Sequence, residues 1–125
     1  MSIIDLQAEF MEKAGQRISG NDYKQSNLYA DLIIEEFNEF DEVESDETEM
    51  IKECCDLLVV ASGFLISLLG KEKAIKAYEL VHNSNMAKLE GKIEKREDGK
   101  VLKNDTYKKI IKEQLMNDLA ALINK

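Results

Sequence analysis

Apolar residues recur at steps of three and four along most of this chain, which is the spacing of amphipathic helices. The first such series consists of Ile3, Leu6, Phe10, Ala14 and Ile18, and the polar residues 19–22 end it. Four further segments show helical spacing, so five helices are predicted, over 2–18, about 24–44, about 46–69, about 71–90 and 105–124.

Local signals mark the ends of the third helix and one irregular segment. Ser45 or Asp46 is suited to cap the start of helix three, and Gly70 stands where a C-terminal cap belongs. Between the fourth and fifth helices, the segment 91–104 holds Asp98-Gly99, a turn pair that predicts either a hairpin or a basic loop.

The composition favours one helical domain. Proline is absent and glycine is scarce, while Ala, Leu, Ile, Glu and Lys are abundant, so the fold class is predicted to be all-α. A chain of 125 residues suits a single domain over 1–125.

The net charge, the cysteines and the apolar stretches indicate which partners and which cellular compartment to expect. A formal net charge of −8 argues against nucleic acid as the partner and favours cations. Adjacent Cys54 and Cys55 are predicted to be buried free thiols in a reducing, cytoplasmic compartment. The N-terminus lacks a signal-peptide pattern, and the longest apolar stretch, 54–69, contains Asp56 and is too short for a membrane span, so no membrane association is expected.

Carboxylates occupy positions in helices two and three where core residues are expected. The row of helix two is Tyr29, Leu32, Glu36, Glu39 and Val43, with Glu35 at its border. The row of helix three is Glu49, Glu53, Asp56 and Val60.

Between two antiparallel helices these carboxylates would converge and repel one another. Neither row contains Arg or Lys, so a hard divalent cation, Mg²⁺ or Mn²⁺, is the predicted partner. The competing interpretation is a solvated acidic face, and the second acidic pair favours the metal.

The acidic motif also resembles a known family. Glu35-Glu36-x-x-Glu39 followed by Glu53-x-x-Asp56 is similar to the EExxE…ExxD signature of the all-α nucleoside triphosphate pyrophosphohydrolases, which include MazG, dimeric dUTPases and phosphoribosyl-ATP pyrophosphohydrolase. Residues 83–107 also resemble the segment that follows the fourth helix in MazG-like members. The resemblance implies an antiparallel four-helix-bundle core of the MazG-like kind, with an additional C-terminal helix.

The resemblance further implies Mg²⁺-dependent hydrolysis of a nucleoside triphosphate to a monophosphate and pyrophosphate, for which nucleotide-pool cleansing is one role. On this basis the metal ligands would be Glu36, Glu39, Glu53 and Asp56. The catalytic carboxylates would be Glu35 and Glu39, with Glu35 acting as a ligand through water or as the base that accepts a proton from water.

An acidic cluster cannot hold a polyphosphate unaided, so cationic and polar residues must complete the site. The candidates for substrate binding are Asn85, Lys88, Lys100, Lys103 and Tyr107. A solvated basic loop is the alternative interpretation for the last three. The lone His82 is interpreted as a packing or hydrogen-bonding residue rather than a catalyst, because no cysteine or second histidine accompanies it as a zinc ligand.

Helix three is apolar nearly all round, which predicts a homodimer or homotetramer formed through helices three and four, as the resemblance also suggests. Two other functions remain open. One is a phosphoribosyl-ATP pyrophosphohydrolase, and the other is a non-enzymatic helical interaction module that uses the acids only for solubility.

Overall fold

The computed structural model describes residues 1–89, 94–102 and 105–123 and confirms the all-α class. The helices are α1 (Ile3–Lys13), α2 (Tyr23–Glu42), α3 (Glu47–Leu69), α4 (Lys71–Ala87) and α5 (Asp105–Ile123). The strands β1 (Glu94–Lys95) and β2 (Val101–Leu102) form a short antiparallel pair. The described chain divides into two compact units, Met1–Ile75 and Lys76–Lys125, each treated separately below.

In the first unit, α2 and α3 form an antiparallel helical hairpin. Asp46 caps α3, since its Oδ1 accepts hydrogen bonds from the backbone N–H groups of Thr48 and Glu49. Of the two predicted capping residues, Asp46 is therefore the one used. Further along the hairpin, a Cβ added at Gly63 would lie 2.2 Å from the ring of Tyr29. Only a glycine at this position lets the buried tyrosine pack directly on the α3 backbone.

The loop between α1 and α2 is tied to the end of α3. The Asn21 and Asp22 N–H groups donate to the carbonyls of Leu68 and Ser67. Gly20 and Gly70 both have positive φ, and a Cβ added at Gly20 would lie 2.6 Å from the Leu69 carbonyl carbon. Gly70 therefore ends α3 as predicted and also permits this close backbone approach.

Helix α1 buries a different face from the one predicted. Ile4, Ala8 and Met11 lie in the core, whereas Phe10 is 59% exposed, and Ile3 and Leu6 are exposed as well. Gln7 on the buried face donates a hydrogen bond to the Tyr29 hydroxyl, which makes a polar residue a core partner. The residues Ile3, Leu6 and Phe10 instead border an apolar groove of about 370 Å³ whose α3 side is Cys55, Leu58, Val59 and Ser62.

The predicted end of α1 was also wrong. The helix stops at Lys13, and Gly15 follows with φ +81°, a left-handed conformation that interrupts the helical hydrogen bonds. Ile18 nevertheless packs against the core from the loop. The apolar spacing in the sequence therefore extends beyond the residues that are helical in the structure.

In the second unit, the segment around Asp98-Gly99 forms a hairpin. Glu94 pairs with Leu102 and Lys95 with Val101. Gly99 has φ +91°, and its N–H donates to the Arg96 carbonyl across the turn. The hairpin alternative is thus the one that the structure shows.

The row formed by Ala74, Tyr78, Val81 and Leu89, which its spacing predicts to face the core from the fourth helix, is buried only at Ala74. Tyr78 and Val81 are exposed, and so is Asn85 one turn later. The small residues Ala77 and Ser84 are buried instead. Small side chains let a helix approach its neighbour closely, and a hydropathy pattern gives them too little weight to reveal this. Among the described helices, none is by itself long and apolar enough to cross a membrane. Of these helices, only α3 and α4 taken together, as a bent pair, reach that length and hydropathy.

Candidate metal centre

Helices α2 and α3 bring three of the predicted ligands together. One carboxylate oxygen from each of Glu36, Glu53 and Asp56 lies within 4.8 Å of the other two. Glu36 comes from α2, while Glu53 and Asp56 project from one face of α3 because they are three residues apart. We call Glu36, Glu53 and Asp56 the acidic cluster.

Two oxygens of the acidic cluster are buried without a partner. Glu53 is only 8% exposed, and within the described chain its Oε2 makes no hydrogen bond. Glu36 Oε2 is likewise buried and unpartnered. A carboxylate oxygen removed from water without compensation is costly, so this arrangement is disfavoured unless something else binds there.

The pKa of Glu36 reflects this environment. Burial is the largest cause that raises it, followed by a hydrogen bond with Glu39 and repulsion from Glu39, Asp56 and Glu53, and together they bring the pKa of Glu36 to about 7. When two carboxyl groups share a hydrogen bond, one of them must carry a proton to donate it. Without a cation, the protonated form of Glu36 is thus favoured far more than in an ordinary exposed glutamate.

Lys52 contacts the acidic cluster, which sequence reasoning missed. Its Nζ lies 2.7 Å from Asp56 Oδ2 and 3.4 Å from Glu53 Oε1. These bonds raise the pKa of Lys52 above its usual value. The expectation that no base would neutralise the carboxylates was therefore wrong. The sequence did hold the signal, since Lys52 precedes Asp56 by four residues and so lies beside it on the helix.

Glu35 and Glu39 lie outside the acidic cluster. Both side chains are exposed, and Glu39 is linked to the site through its hydrogen bond with Glu36. Glu39 was predicted as a ligand, and the structure places it as a neighbour of a ligand candidate. The upper part of the hairpin, close to the connection between α2 and α3, is open to solvent, and this explains the exposure.

The donor set fits a hard divalent cation. Three carboxylates supply only oxygen atoms, which is the ligand type of Mg²⁺ and Mn²⁺ rather than of a thiolate- or imidazole-binding metal. Glu36 Oε2 and Glu53 Oε2, which are buried and lack hydrogen-bond partners in the described chain, are suited to coordinate such a cation. Glu36, Glu53 and Asp56 would hold the ion.

The residues predicted to bind substrate belong to the second unit. Lys88 Nζ donates to Asn85 Oδ1 at 3.3 Å. Lys100 is exposed, and its N–H donates to Asp98 Oδ1. Lys103 lies outside the described residues, and Tyr107 falls in the first turn of α5 with its side chain outside the described part. Their role in binding stays a prediction.

The structure contradicts the expected burial of the two cysteines and the packing alternative for His82. Cys54 and Cys55 are both exposed rather than buried, because the apolar face of α3 that carries them is not covered within the first unit. His82 is exposed on α4 rather than packed.

Comparison with models of protein families, with curated proteins and with solved structures gave no match to this chain.

Proposed function

We propose that this protein is a Mg²⁺-dependent nucleoside triphosphate pyrophosphohydrolase, which converts an NTP or dNTP to the monophosphate and pyrophosphate. The observation that carries the proposal is the acidic cluster, in which Glu53 is nine-tenths buried and its Oε2 has no hydrogen-bond partner in the described chain. The resemblance of residues 35–56 to the EExxE…ExxD signature adds the reaction class.

The chain's own residues supply the parts of this chemistry. Bound Mg²⁺ would neutralise charge on phosphate oxygens and lower the pKa of a coordinated water. Glu36 from α2 and Glu53 and Asp56 from α3 would hold the ion. Glu35 and Glu39, exposed beside the cluster, are the candidates to accept a proton from the attacking water.

A homo-oligomer that completes a four-helix-bundle core accompanies this proposal. The apolar groove between α1 and α3 is open in the first unit, and Leu58 in its lining is 48% exposed. Exposed apolar surface of this kind is typical of an interface. The predicted contact through helices three and four is thereby extended to include α1. A reducing, cytoplasmic setting is part of the proposal and is consistent with two free cysteines.

The test is pyrophosphate release from a panel of ribo- and deoxynucleoside triphosphates and phosphoribosyl-ATP, with Mg²⁺ and with EDTA. We expect release that requires the metal and falls by about a thousandfold or more in Glu53→Gln, since the variant removes a ligand charge without changing shape. Glu47→Gln, an exposed acid in the first turn of α3, is the matched control and should retain activity.

A second function is favoured by one observation, the groove of about 370 Å³ lined by Ile3, Leu6, Phe10, Cys55, Leu58 and Val59. It suits a helical interaction module that needs no metal. In that case, folded protein would release no pyrophosphate from any substrate and would bind neither Mg²⁺ nor Mn²⁺, and Glu53→Gln would retain function.

A further inference from the structure

Lys52 holds a positive charge at the acidic cluster. Its Nζ contacts two of the three carboxylates, at 2.7 Å from Asp56 and 3.4 Å from Glu53. An ammonium group at these distances partly neutralises the carboxylates that would bind a divalent cation. Since the two positive charges repel each other, Lys52 and the cation compete for the same oxygens.

Lys52 is more exposed than the two carboxylates that it contacts, so its side chain is free to move. The Lys52 side chain is 65% exposed, whereas those of Asp56 and Glu53 are 33% and 11% exposed. The Glu53 carboxylate is therefore held within the helix packing, and the ammonium reaches it and the partly exposed Asp56 on a flexible stem from solvent. Moving Lys52 away removes no core contact.

We propose that Lys52 is a built-in counter-ion that competes with the divalent cation for Asp56 and Glu53, and that in the cation-loaded protein it binds the phosphate oxygens of the substrate. This inference rests on the proposed function. It also explains how a polyphosphate could bind next to three carboxylates, because the exposed Lys52 side chain supplies a positive charge beside them.

Competition with the cation and binding of phosphate both follow from the positive charge of Lys52. Without a cation, the carboxylates attract the ammonium. Once a divalent cation is bound, it neutralises most of the charge of the three carboxylates and weakens that attraction. A polyanion arriving from solvent then becomes the stronger partner for a compact, strongly hydrated ammonium. Lys52 should therefore weaken cation binding and strengthen phosphate binding.

The experiment measures Mn²⁺ affinity by calorimetry and then, at excess Mg²⁺, the affinity for magnesium pyrophosphate. Lys52→Met removes the charge, while Lys52→Arg keeps it. Lys24→Met is the matched control, since Lys24 is an exposed residue of α2 that lies twelve residues before Glu36, about 18 Å along the helix. Thermal melts followed by circular dichroism check the fold of each variant.

We expect Lys52→Met to bind Mn²⁺ about tenfold more tightly and magnesium pyrophosphate about tenfold more weakly, with Lys52→Arg and Lys24→Met within about twofold of the wild type. A purely structural role would change both affinities in the same direction. Unchanged or weakened Mn²⁺ binding in Lys52→Met overturns the inference, as does unchanged pyrophosphate binding.

The same titrations separate this inference from the proposed function. If Glu53→Gln loses Mn²⁺ binding while Lys52→Met matches the wild type, the metal centre stands and the role of Lys52 is refuted. If neither the wild type nor Lys52→Met binds Mn²⁺, both proposals fail.

Discussion

At the scale of single residues, Glu36 and Glu53 owe their properties to their surroundings rather than to their own chemistry. Both come from acidic stretches that are mostly solvated, yet each places one oxygen where it has no hydrogen-bond partner in the described chain. Their neighbours Glu35 and Glu39 remain exposed. A difference of one helical position thus separates a carboxylate suited to bind a cation from one that stays in water.

The raised pKa of Glu36 predicts how the metal-free protein responds to pH. In the folded chain the pKa is about 7 against 4.5 as the ordinary value, so folding favours the protonated carboxyl. The stabilisation is fully present below pH 4.5 and is lost as the pH rises through 7. We expect the urea midpoint in EDTA to rise as the pH is lowered from 8 to 5, and this Glu36 contribution to be absent in Glu36→Gln.

Glu35→Gln is the control for this measurement, because it removes an exposed acid next to Glu36 and should leave the pH dependence intact. The lowered pKa of Asp5, about 2 because of hydrogen bonds from Ser2, acts only below the tested range. Equal pH dependence in the wild type and in Glu36→Gln would contradict the burial of this carboxyl group.

At the scale of elements, the hairpin of α2 and α3 builds the site. The chain reverses at residues 43–46, and Asp46 fixes the first turn of α3. Contacts further along the hairpin, such as the hydrogen bond from Gln25 Nε2 to Ser67 Oγ, maintain the pairing. This register is what places Glu36 beside Glu53 and Asp56.

Removal of the α3 cap should be measurable as a loss of stability. Asp46→Ala leaves the Thr48 and Glu49 N–H groups without their acceptor, and we expect a loss of about 1 kcal/mol in the free energy of unfolding. Urea denaturation measures this change. Ser45→Ala is the control, since Ser45 is exposed and is not the capping residue, so its effect should stay within roughly 0.5 kcal/mol. A larger effect for Ser45→Ala than for Asp46→Ala would show that the cap is misassigned.

At the scale of the whole molecule, apolar surface remains open. The groove between α1 and α3 combines Leu6 and Phe10 with Leu58 and Val59, all exposed. A second copy of the chain would cover this surface. The proposed oligomer therefore explains why the exposed row of α1 is apolar.

The oligomer can be tested by placing a charge in the groove. Leu58→Asp would bury an unpaired carboxylate in the contact, and we expect it to raise the dissociation constant of the assembly by about a hundredfold, equivalent to roughly 3 kcal/mol. Analytical ultracentrifugation across a concentration series measures this. Tyr23→Asp, at an exposed apolar position in the first turn of α2, should leave the assembly unchanged. A wild type that is monomeric at all concentrations would refute the proposed interface.

The sequence by itself determined the helical class, because periodic apolar spacing and the lack of proline act locally. It also placed Gly70 at the end of α3 and identified Glu36, Glu53 and Asp56 as inward candidates. These features depend on spacing within one helix or on a single turn.

Only the tertiary structure decided which apolar row is core and which is open surface, since burial in a core and burial in an interface require the same residues. The exposed row of α1 and the exposed cysteines of α3 show this most clearly. It also decided that Glu36 from α2 meets Glu53 and Asp56 from α3, and that Glu39 stays outside the cluster. Such outcomes depend on the distance between side chains on different turns and helices, which the packing of the folded chain sets.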